Sequence, residues 1–142
     1  MVNRNFELAV SDLIHAVGLL VRRIRAEAGG DGLSMSESAV LKRLDQEGPA
    51  TTADLARSEN VRPQSMGATV AALEDAGLVE RRPHPTDGRQ AYLQLTDKGA
   101  ALRADRTRAK RTWLARSISE LEKEEQAMLF KAGEIIRRMA EK

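Results

Sequence analysis

Residues 73–99, with the sequence LEDAGLVERRPHPTDGRQAYLQLTDKG, contain the pattern that decides the fold. Gly77 predicts the end of a helix, because glycine readily adopts the left-handed conformation that follows many helix C-termini. Two strand-like segments come next, at residues 78–82 and 91–95, with an Asp-Gly turn between them. An Asp-Gly pair in this position favours a hairpin, and the polar, basic residues around it predict a solvated loop that projects as a wing.

A helix-turn-helix pattern lies directly upstream of this hairpin. Thr51 and Asp54 predict the start of a short helix, since both side chains are typical of the first turn and its free backbone amides. Asn60 is suited to the left-handed conformation that closes such a helix. Pro63 suits the first turn of the next helix, expected to run to about Ala76, because proline lacks the amide proton that this position leaves unpaired. The short turn between the two helices is typical of a DNA-binding helix-turn-helix.

Longer helices flank this region on both sides. The first is expected over about residues 4–28, because its apolar residues recur at spacings of three and four. A capping box at Ser34 and Glu37 predicts the second helix. Thr96 is expected to cap a fifth helix, and Ser119 with Glu122 forms a further capping box that would start a sixth. The apolar stripes comprise Phe6, Val10, Leu13, Ile14, Val17, Leu20, Val21 and Ile24 in the first helix and Leu121, Met128, Leu129, Ala132, Ile135, Ile136 and Met139 in the last.

The predicted order of elements is four helices, a two-stranded hairpin and two further helices. This order indicates a single, mostly α (α+β) domain over residues 1–142, without internal repeats or a long linker. The apolar stripes of the first and last helices are broader than a monomer of this size can easily cover. A twofold partner, and hence a homodimer, is the natural cover for them.

Polar side chains cluster at the two places that a winged helix-turn-helix presents to DNA. Gln64 carries the amide needed for a bidentate pair with adenine, and Arg62 can pair with guanine or with a phosphate. Arg89 follows Asp87 by two residues, so the carboxylate can orient it for a narrow minor groove. The alternative interpretation is an ordinary helix pair and a local surface ion pair. The candidate DNA-binding residues are Arg62, Gln64, Ser65, Thr69, Arg81, Arg82, His84, Asp87 and Arg89.

The composition excludes several other functions. The chain has no cysteine, which rules out disulfides, thiolate catalysis, cysteine-ligated metals and sensing by thiol oxidation. Its two histidines, His15 and His84, lie in a predicted helix and in the wing, so we expect no enzyme, no metal site and no cofactor. The net charge of +2 implies no strong general affinity for polyanions. With no apolar run of roughly 20 residues and no secretory signal, we expect a cytoplasmic protein that binds no membrane.

The stretch 73–99 resembles the signature of the MarR (multiple antibiotic resistance regulator) family of winged helix-turn-helix transcription factors. In that family, Leu-Glu and Gly-Leu-Val end the recognition helix, Asp-x-Arg lies in the wing, and Leu-Thr precedes the next helix. The same pattern is in register here, at Leu73-Glu74, Gly77-Leu78-Val79, Asp87-Gly88-Arg89 and Leu95-Thr96. The order of helices is similar over nearly the whole chain.

This resemblance implies a sequence-specific regulator, a repressor, that binds a palindromic operator in double-stranded DNA as a homodimer. Residues of about 34–96 would form the winged helix-turn-helix part, and residues of about 1–30 and 97–142 the helical dimerisation part. By the same resemblance, Arg89 would enter the minor groove while Asp87 holds it. Twofold symmetry would place the half-sites about 10 base pairs apart.

The family often responds to small aromatic or phenolic effectors, which bind between the dimer helices and the winged part and release the DNA. The resemblance therefore makes His15, Arg22 and Trp113 the candidate ligand-binding residues, since they lie on helices that can line such a crevice. The ordinary interpretation makes His15 and Arg22 exposed helix residues and Trp113 a packing residue. Nothing in the sequence identifies the effector.

One departure from the family pattern concerns the recognition helix. The family commonly has threonine and arginine six and five residues before the Leu-Glu pair, where this chain has Gly67 and Ala68. We therefore expect base reading to shift toward the polar first turn of the helix and Thr69, with more affinity drawn from the wing. The alternative function is a winged-helix protein-interaction module with weak or no specific DNA binding.

Overall fold

The computed structural model of the chain describes residues 3–30 and 32–142. In these residues, α-helices and one two-stranded antiparallel sheet follow the order that the sequence predicts, and the fold is mostly helical. The elements are α1 (Arg4–Glu27), α2 (Met35–Glu47), α3 (Thr52–Ser58), α4 (Pro63–Asp75), β1 (Val79–Pro83), β2 (Ala91–Leu95), α5 (Asp97–Ser119) and α6 (Lys123–Ala140).

Internal contacts divide the chain into two compact units. The winged unit comprises residues 29–107 and contains α2, α3, α4, the hairpin and the first part of α5. The helical unit comprises α1 and residues 108–142, which hold the rest of α5 and α6. Helix α5 therefore contributes to both units, with its residues 97–107 in the winged unit.

A hydrophobic core fills the winged unit because each helix turns one apolar face inward. Residues on α4 show the pattern: Met66, Val70 and Leu73 follow one another at spacings of four and three, and all three are buried. Burying one such side chain contributes about 1.5–3 kcal/mol to folding. The core comprises Val40, Leu41, Leu44, Leu55, Ala56, Met66, Val70, Leu73, Leu78, Val79 and Leu93.

The hairpin is joined to the rest of the winged unit by backbone hydrogen bonds. β1 begins at Val79, one residue later than the sequence predicts, because the amide of Leu78 is used to end α4. In β2, Leu93 exchanges two hydrogen bonds of 2.8 and 3.2 Å with Ala50, which precedes α3. No sequence signal marks Ala50 as a strand partner, since one residue between Pro49 and a helix cap has no strand periodicity.

The predicted capping box at Ser34 and the predicted helix start at Thr51 are confirmed. Ser34 Oγ accepts from the amide of Glu37 at 3.1 Å, and the Glu37 carboxylate accepts from the amide of Ser34 at 3.3 Å. Thr51 and Asp54 make the same reciprocal pair at 3.1 and 3.4 Å. These bonds satisfy backbone donors that the first turn of a helix leaves free. They fix where α2 and α3 begin.

The capping box predicted at Ser119 and Glu122 is wrong. Ser119 is the last residue of α5, and its hydroxyl donates back to the carbonyl of Arg116 at 2.6 Å. Helix α6 begins instead at Lys123, with Glu122 in extended conformation before it. The amide of Glu122 donates to Glu125 Oε1 at 3.3 Å. Because α5 continues through Ser119, α6 begins three residues later than the pattern predicts.

Large apolar side chains on α1 and α6 stay exposed in the helical unit. Ile14 is 68% exposed, Met128 69% and Phe130 60%. Neither helix buries a residue fully within the described chain. The stripes that the sequence predicts on the first and last helices therefore have much of their apolar surface uncovered.

The start of α5 packs at Gly99 against the junction between α4 and the hairpin. A Cβ atom at this position would lie 2.1 Å from the carbonyl oxygen of Leu78 and 3.1 Å from its carbonyl carbon. Thr96 caps the helix as predicted, since its Oγ1 accepts from the amide of Gly99 at 3.1 Å. The same hydroxyl donates to the carbonyl of Gly77 at 2.5 Å. The first turn of α5 is thus held against the end of α4 at a distance that excludes a side chain at Gly99.

We expect Gly99→Ala to lower the free energy of unfolding by about 1–3 kcal/mol, because the methyl group would have to displace backbone. Gly67→Ala is the matched control: a Cβ atom there would meet no heavy atom outside its own stretch of α4 within 4 Å in the described residues. That change should raise the free energy by about 0.5–1 kcal/mol. Urea unfolding followed by circular dichroism measures both, and equal effects of the two substitutions would contradict the packing at Gly99.

Candidate nucleic-acid interface

The turn between α3 and α4 is closed by backbone hydrogen bonds around Asn60. Asn60 has a φ of 54°, the left-handed conformation that the sequence predicts. Its amide donates to the carbonyl of Arg57 at 3.2 Å, and the amide of Val61 donates to the carbonyl of Ala56 at 3.0 Å. This pair of bonds is a Schellman motif, which satisfies carbonyls that the end of a helix leaves free. It fixes the direction in which α4 leaves the turn.

Arg43 of α2 braces the same turn from the side. Its Nε donates to Glu59 Oε1 at 2.7 Å, and its Nη1 donates to the Glu47 carboxylate at 3.1 Å. The bond to Glu59, followed by that to Glu47, raises the pKa of Arg43 above its ordinary value. The guanidinium therefore stays charged, and the last residue before Asn60 remains tied to α2.

The first turn of α4 presents polar side chains to solvent. Pro63 is the first helical residue, as predicted, and Arg62 precedes it in extended conformation without a side-chain cap. Arg62, Gln64 and Ser65 are all exposed, whereas Met66 points into the core and is 2% exposed. The three candidate residues of this turn are thus brought together on the solvent side.

Thr69 lies one turn further along α4 and is half-buried. Its Oγ1 donates to the carbonyl of Ser65 at 3.1 Å. The hydroxyl proton is therefore used inside the helix, and the oxygen keeps its capacity to accept. Toward a nucleic acid, Thr69 offers an acceptor and a methyl group.

Beyond its first turn, α4 has only small residues on much of its outer surface. Ala68, Ala71 and Ala72 are exposed, and Gly67 is half-buried. The open space around Gly67 means that packing within the described chain does not require a glycine there. This part of the helix can be approached closely from outside.

A second Schellman motif joins α4 to the wing. Gly77 has a φ of 74°, its amide donates to the carbonyl of Glu74, and the amide of Leu78 donates to the carbonyl of Leu73, both at 2.9 Å. The Glu74 side chain also accepts from Arg81 of β1, with a shortest distance of 2.8 Å to Nη2. The candidate Arg81 is therefore bound to α4 and fixes the wing relative to this helix.

Arg82 lies on the other face of β1, because successive residues of a strand alternate. Its Nη2 donates to Glu80 Oε1 at 3.0 Å, and Gln94 Nε2 donates to the same oxygen at 2.8 Å. The hydrogen bond from Gln94 is the main reason why the pKa of Glu80 lies below its ordinary value, with the charge of Arg82 acting in the same direction. Glu80 therefore stays ionised well below neutral pH and keeps Arg82 paired.

The tip of the wing is ordered by its own polar groups. Asp87 Oδ1 accepts from the backbone amide of Arg89 at 3.0 Å, so the carboxylate holds Arg89 through its main chain. Within the described residues, the Arg89 guanidinium has no ion pair and the residue is exposed. His84 is half-buried, and its ring stacks on Tyr92 with centroids 4.7 Å apart. The structure thus directs Arg89 outward and His84 into the wing.

Comparisons with known proteins agree with this geometry. The MarR family pattern matches residues 33–91, which span α2, the helix-turn-helix, β1 and the loop of the wing up to the first residue of β2. An uncharacterized HTH-type transcriptional regulator of Mycobacterium bovis, Mb0904, is 38% identical over 136 residues, which cover 96% of this chain and 94% of the relative. The HTH-type transcriptional repressor Mb2911 of the same organism is 35% identical over 126 residues, covering 85% of this chain and 91% of the relative.

The chain belongs to the MarR family of transcriptional regulators. Members of this family are DNA-binding regulators and not enzymes. Solved structures show the same fold: RV1404 of Mycobacterium tuberculosis matches with a TM-score of 0.84 and 26% identity, covering 97% of this chain and 96% of that one. FabT of Streptococcus pneumoniae, solved in complex with DNA, matches with a TM-score of 0.68 and 19% identity, covering 95% of this chain and 97% of that one.

The three effector candidates of this MarR-family chain lie on α1 and α5. His15 and Arg22 are exposed, and Trp113 is half-buried. The guanidinium that lies over the Trp113 ring, 5.3 Å from its centroid, belongs to Arg23 rather than to Arg22. A cation over an aromatic face is attracted by its quadrupole, so Arg23 and Trp113 stabilise each other within the helical unit.

No group of three or more histidine and acidic side chains is arranged to hold a metal ion across residues 3–30 and 32–142. None of the helices in the same ranges is long and apolar enough to cross a membrane.

We expect Asn60→Ala to lower the free energy of unfolding by about 1 kcal/mol, because alanine tolerates the left-handed conformation poorly. Asn60→Gly should cost little, since glycine adopts this conformation freely. Thermal unfolding of the two variants beside the wild type tests the Schellman turn. A glycine variant as unstable as the alanine variant would show that the Asn60 side chain, rather than its backbone, matters.

Proposed function

We propose that this MarR-family chain is a sequence-specific transcriptional repressor that binds a palindromic operator in double-stranded DNA as a homodimer. The observation that carries the proposal is the pair of outward-facing elements in one winged unit: the polar first turn of α4 and the Arg89 guanidinium, which makes no ion pair with the described residues. A relative named as a repressor and a structural neighbour in complex with DNA support the same direction.

The ion pairs of the other wing arginines support a role for Arg89 in binding DNA. Arg81 is bound to Glu74 and Arg82 to Glu80, so both are engaged within the protein. Arg89 is the wing arginine left for an external anion in the described residues, and it lies at the tip. A guanidinium in this place suits a phosphate or a narrow, electronegative minor groove.

The first turn of α4 supports base reading in the major groove. Gln64 is exposed and carries both a donor and an acceptor, the combination that pairs with adenine. Arg62 beside it suits guanine or a phosphate. Ala68 and Ala71 add methyl groups that suit contact with thymine methyls when the helix lies deep in the groove.

A second copy of the chain is the partner that suits the helical unit. The exposed apolar side chains of α1 and α6 form the kind of surface that marks an interface. A twofold dimer would present two copies of α4 to half-sites about 10 base pairs apart, which makes the operator palindromic. Release by a small aromatic or phenolic effector stays a prediction from the family resemblance.

The test is a titration of the purified chain, by fluorescence anisotropy at two salt concentrations, against tiled duplexes from upstream of its own gene. Tight, salt-sensitive binding to one palindromic tile, together with a dimer by sedimentation, is the expected result. Equally weak binding to every tile and to an unrelated duplex would contradict the proposal. That outcome would favour the protein-interaction module instead.

We expect Arg89→Ala to weaken DNA binding on all sequences and to flatten the slope of log affinity against log salt by about one unit, because one phosphate contact goes with it. Arg89→Lys should keep the slope, since the charge stays. Arg138→Ala, on α6 of the helical unit, is the charge-matched control and should leave the slope as it is. An unchanged slope in Arg89→Ala would overturn the assignment of the wing.

We expect Gln64→Ala to relax discrimination at one base pair of each half-site by about 1–3 kcal/mol, since the bidentate pair is lost. Anisotropy against duplexes with single substitutions measures this. Gln46→Ala, at an exposed position of α2, is the control and should change no base preference. An equal loss on every sequence would show that Gln64 contacts the backbone and not a base.

A further inference from the structure

The tip of the wing is closed around the imidazole of His84. Its Nδ1 accepts from the backbone amide of Asp87 at 3.0 Å and from that of Thr86 at 3.2 Å. The Thr86 hydroxyl lies 3.3 Å from the same nitrogen. Nδ1 of His84 thus contacts polar groups of both Thr86 and Asp87, and the imidazole ring stacks on Tyr92 of β2.

These contacts define the protonation state that the wing requires. A backbone amide can only donate, so Nδ1 has to provide its lone pair and carries no proton. The proton of the neutral ring is therefore on Nε2. In the imidazolium both nitrogens carry protons, and Nδ1–H would point at two N–H groups. Protonation of His84 is thus incompatible with the closed tip.

The imidazole is connected to Arg89 by a short series of hydrogen bonds. The amide of Asp87 bonds His84, and the carboxylate of Asp87 accepts from the amide of Arg89 at 3.0 Å. The carbonyl of Asp87 accepts from the amide of Gln90 at 3.1 Å, and the carbonyl of Gln90 accepts from the amide of His84 at 3.4 Å. The main chain that carries Arg89 is therefore positioned through His84.

We propose that neutral His84 is a positioning residue of the wing, and that its protonation weakens DNA binding by releasing the loop that holds Arg89. The inference rests on the proposed function and adds a pH-dependent regulation of the same site. It assigns His84 a place behind the contact surface, where it acts through Asp87 and not on DNA directly.

Charged groups near His84 would interact with a protonated imidazole ring. Asp87 in the loop would attract an imidazolium, and Arg82, which pairs with Tyr92 across the hairpin, is itself paired with Glu80. A new positive charge on the wing would also attract DNA phosphates. This attraction to phosphates would strengthen binding in acid, opposite to the release of the loop, so the sign of the pH effect distinguishes a positioning role from a direct contact.

The second histidine of the chain provides a control. The sequence contains two histidines, His15 and His84. His15 lies on α1, in the helical unit. Glu80, at the base of the wing, has its pKa held below the ordinary value and stays charged throughout.

The experiment measures DNA affinity by anisotropy from pH 8 to pH 5.5 at constant ionic strength, for wild type, His84→Asn, His84→Phe and His15→Asn. Asparagine places Oδ1 at the same number of bonds from Cα as Nδ1, so it supplies an acceptor that does not titrate. Phenylalanine keeps the ring on Tyr92 but supplies no acceptor.

The wild type and His15→Asn should lose affinity in acid by on the order of tenfold, the worth of one or two neutral hydrogen bonds. His84→Phe should bind weakly at every pH, and His84→Asn should recover most of that loss and show no step. Affinity that rises in acid, a wild type without a step, or a step that persists in His84→Asn would each overturn the proposal.

A second readout needs no DNA and separates this inference from the proposed function. In nuclear magnetic resonance spectra of the free protein, the amide signals of Thr86, Asp87 and Arg89 should shift together as the pH is lowered, and should not shift in His84→Asn. If the chain binds no operator but these signals move together, the repressor is refuted and the positioning role of His84 stands. Signals that do not follow His84 would refute the role itself.

Discussion

The position of α4 depends on two left-handed residues, one at each end of the helix. Asn60 closes α3 before α4 begins, and Gly77 closes α4 before the hairpin begins. Each is accompanied by both hydrogen bonds of a Schellman motif, so backbone groups set the chain direction on either side. The rotation of α4 about its own axis is then set by Met66, Val70 and Leu73, which are buried in the core. Its polar first turn is directed to solvent as a consequence.

Ion pairs distinguish Arg81 and Arg82, which have structural roles in the wing, from Arg89, which can bind an external anion. Arg81 and Arg82 alternate across β1, and each meets a glutamate on its own face, Glu74 or Glu80. Exposed pairs of this kind contribute roughly 0.2–1 kcal/mol or less, so their main effect is on position and on charge. They align the wing with α4 and neutralise its base. The positive potential of the wing is thereby concentrated at Arg89.

Much of this arrangement can be predicted from the sequence where a local rule decides the structure. The capping boxes at Ser34 and Thr51, the turn at Asn60 and the hairpin are all set by residues close together in the chain. The nine candidate DNA-binding residues follow from the same elements, and their contact with DNA stays a prediction. A local rule failed at Ser119, because helix continuation and a capping box compete there and the pattern cannot weigh them.

Sequence patterns did not predict the contacts between separate helices and strands. The pairing of Ala50 with Leu93 and of Glu74 with Arg81 joins elements whose register only the folded chain defines. His84 was predicted to contact DNA from its place in a basic loop. Its neighbours Thr86 and Asp87 are local, but the stacking on Tyr92 that directs the ring inward requires the hairpin to be in register.

Because the outer surface of α4 has only small side chains at residues 67–72, DNA affinity has to come from other parts of the winged unit. A glycine within a helix costs roughly 1 kcal/mol relative to alanine, and packing in the described chain does not require Gly67. With Ala68 beside it, the middle of α4 offers DNA few hydrogen-bonding groups. Polar contacts are left to the first turn of α4 and to the tip of the wing. Because the wing tip lies at the end of a two-stranded hairpin, its contribution depends on how firmly the loop is held, and that is determined by the hydrogen bonds that converge on His84 and Asp87.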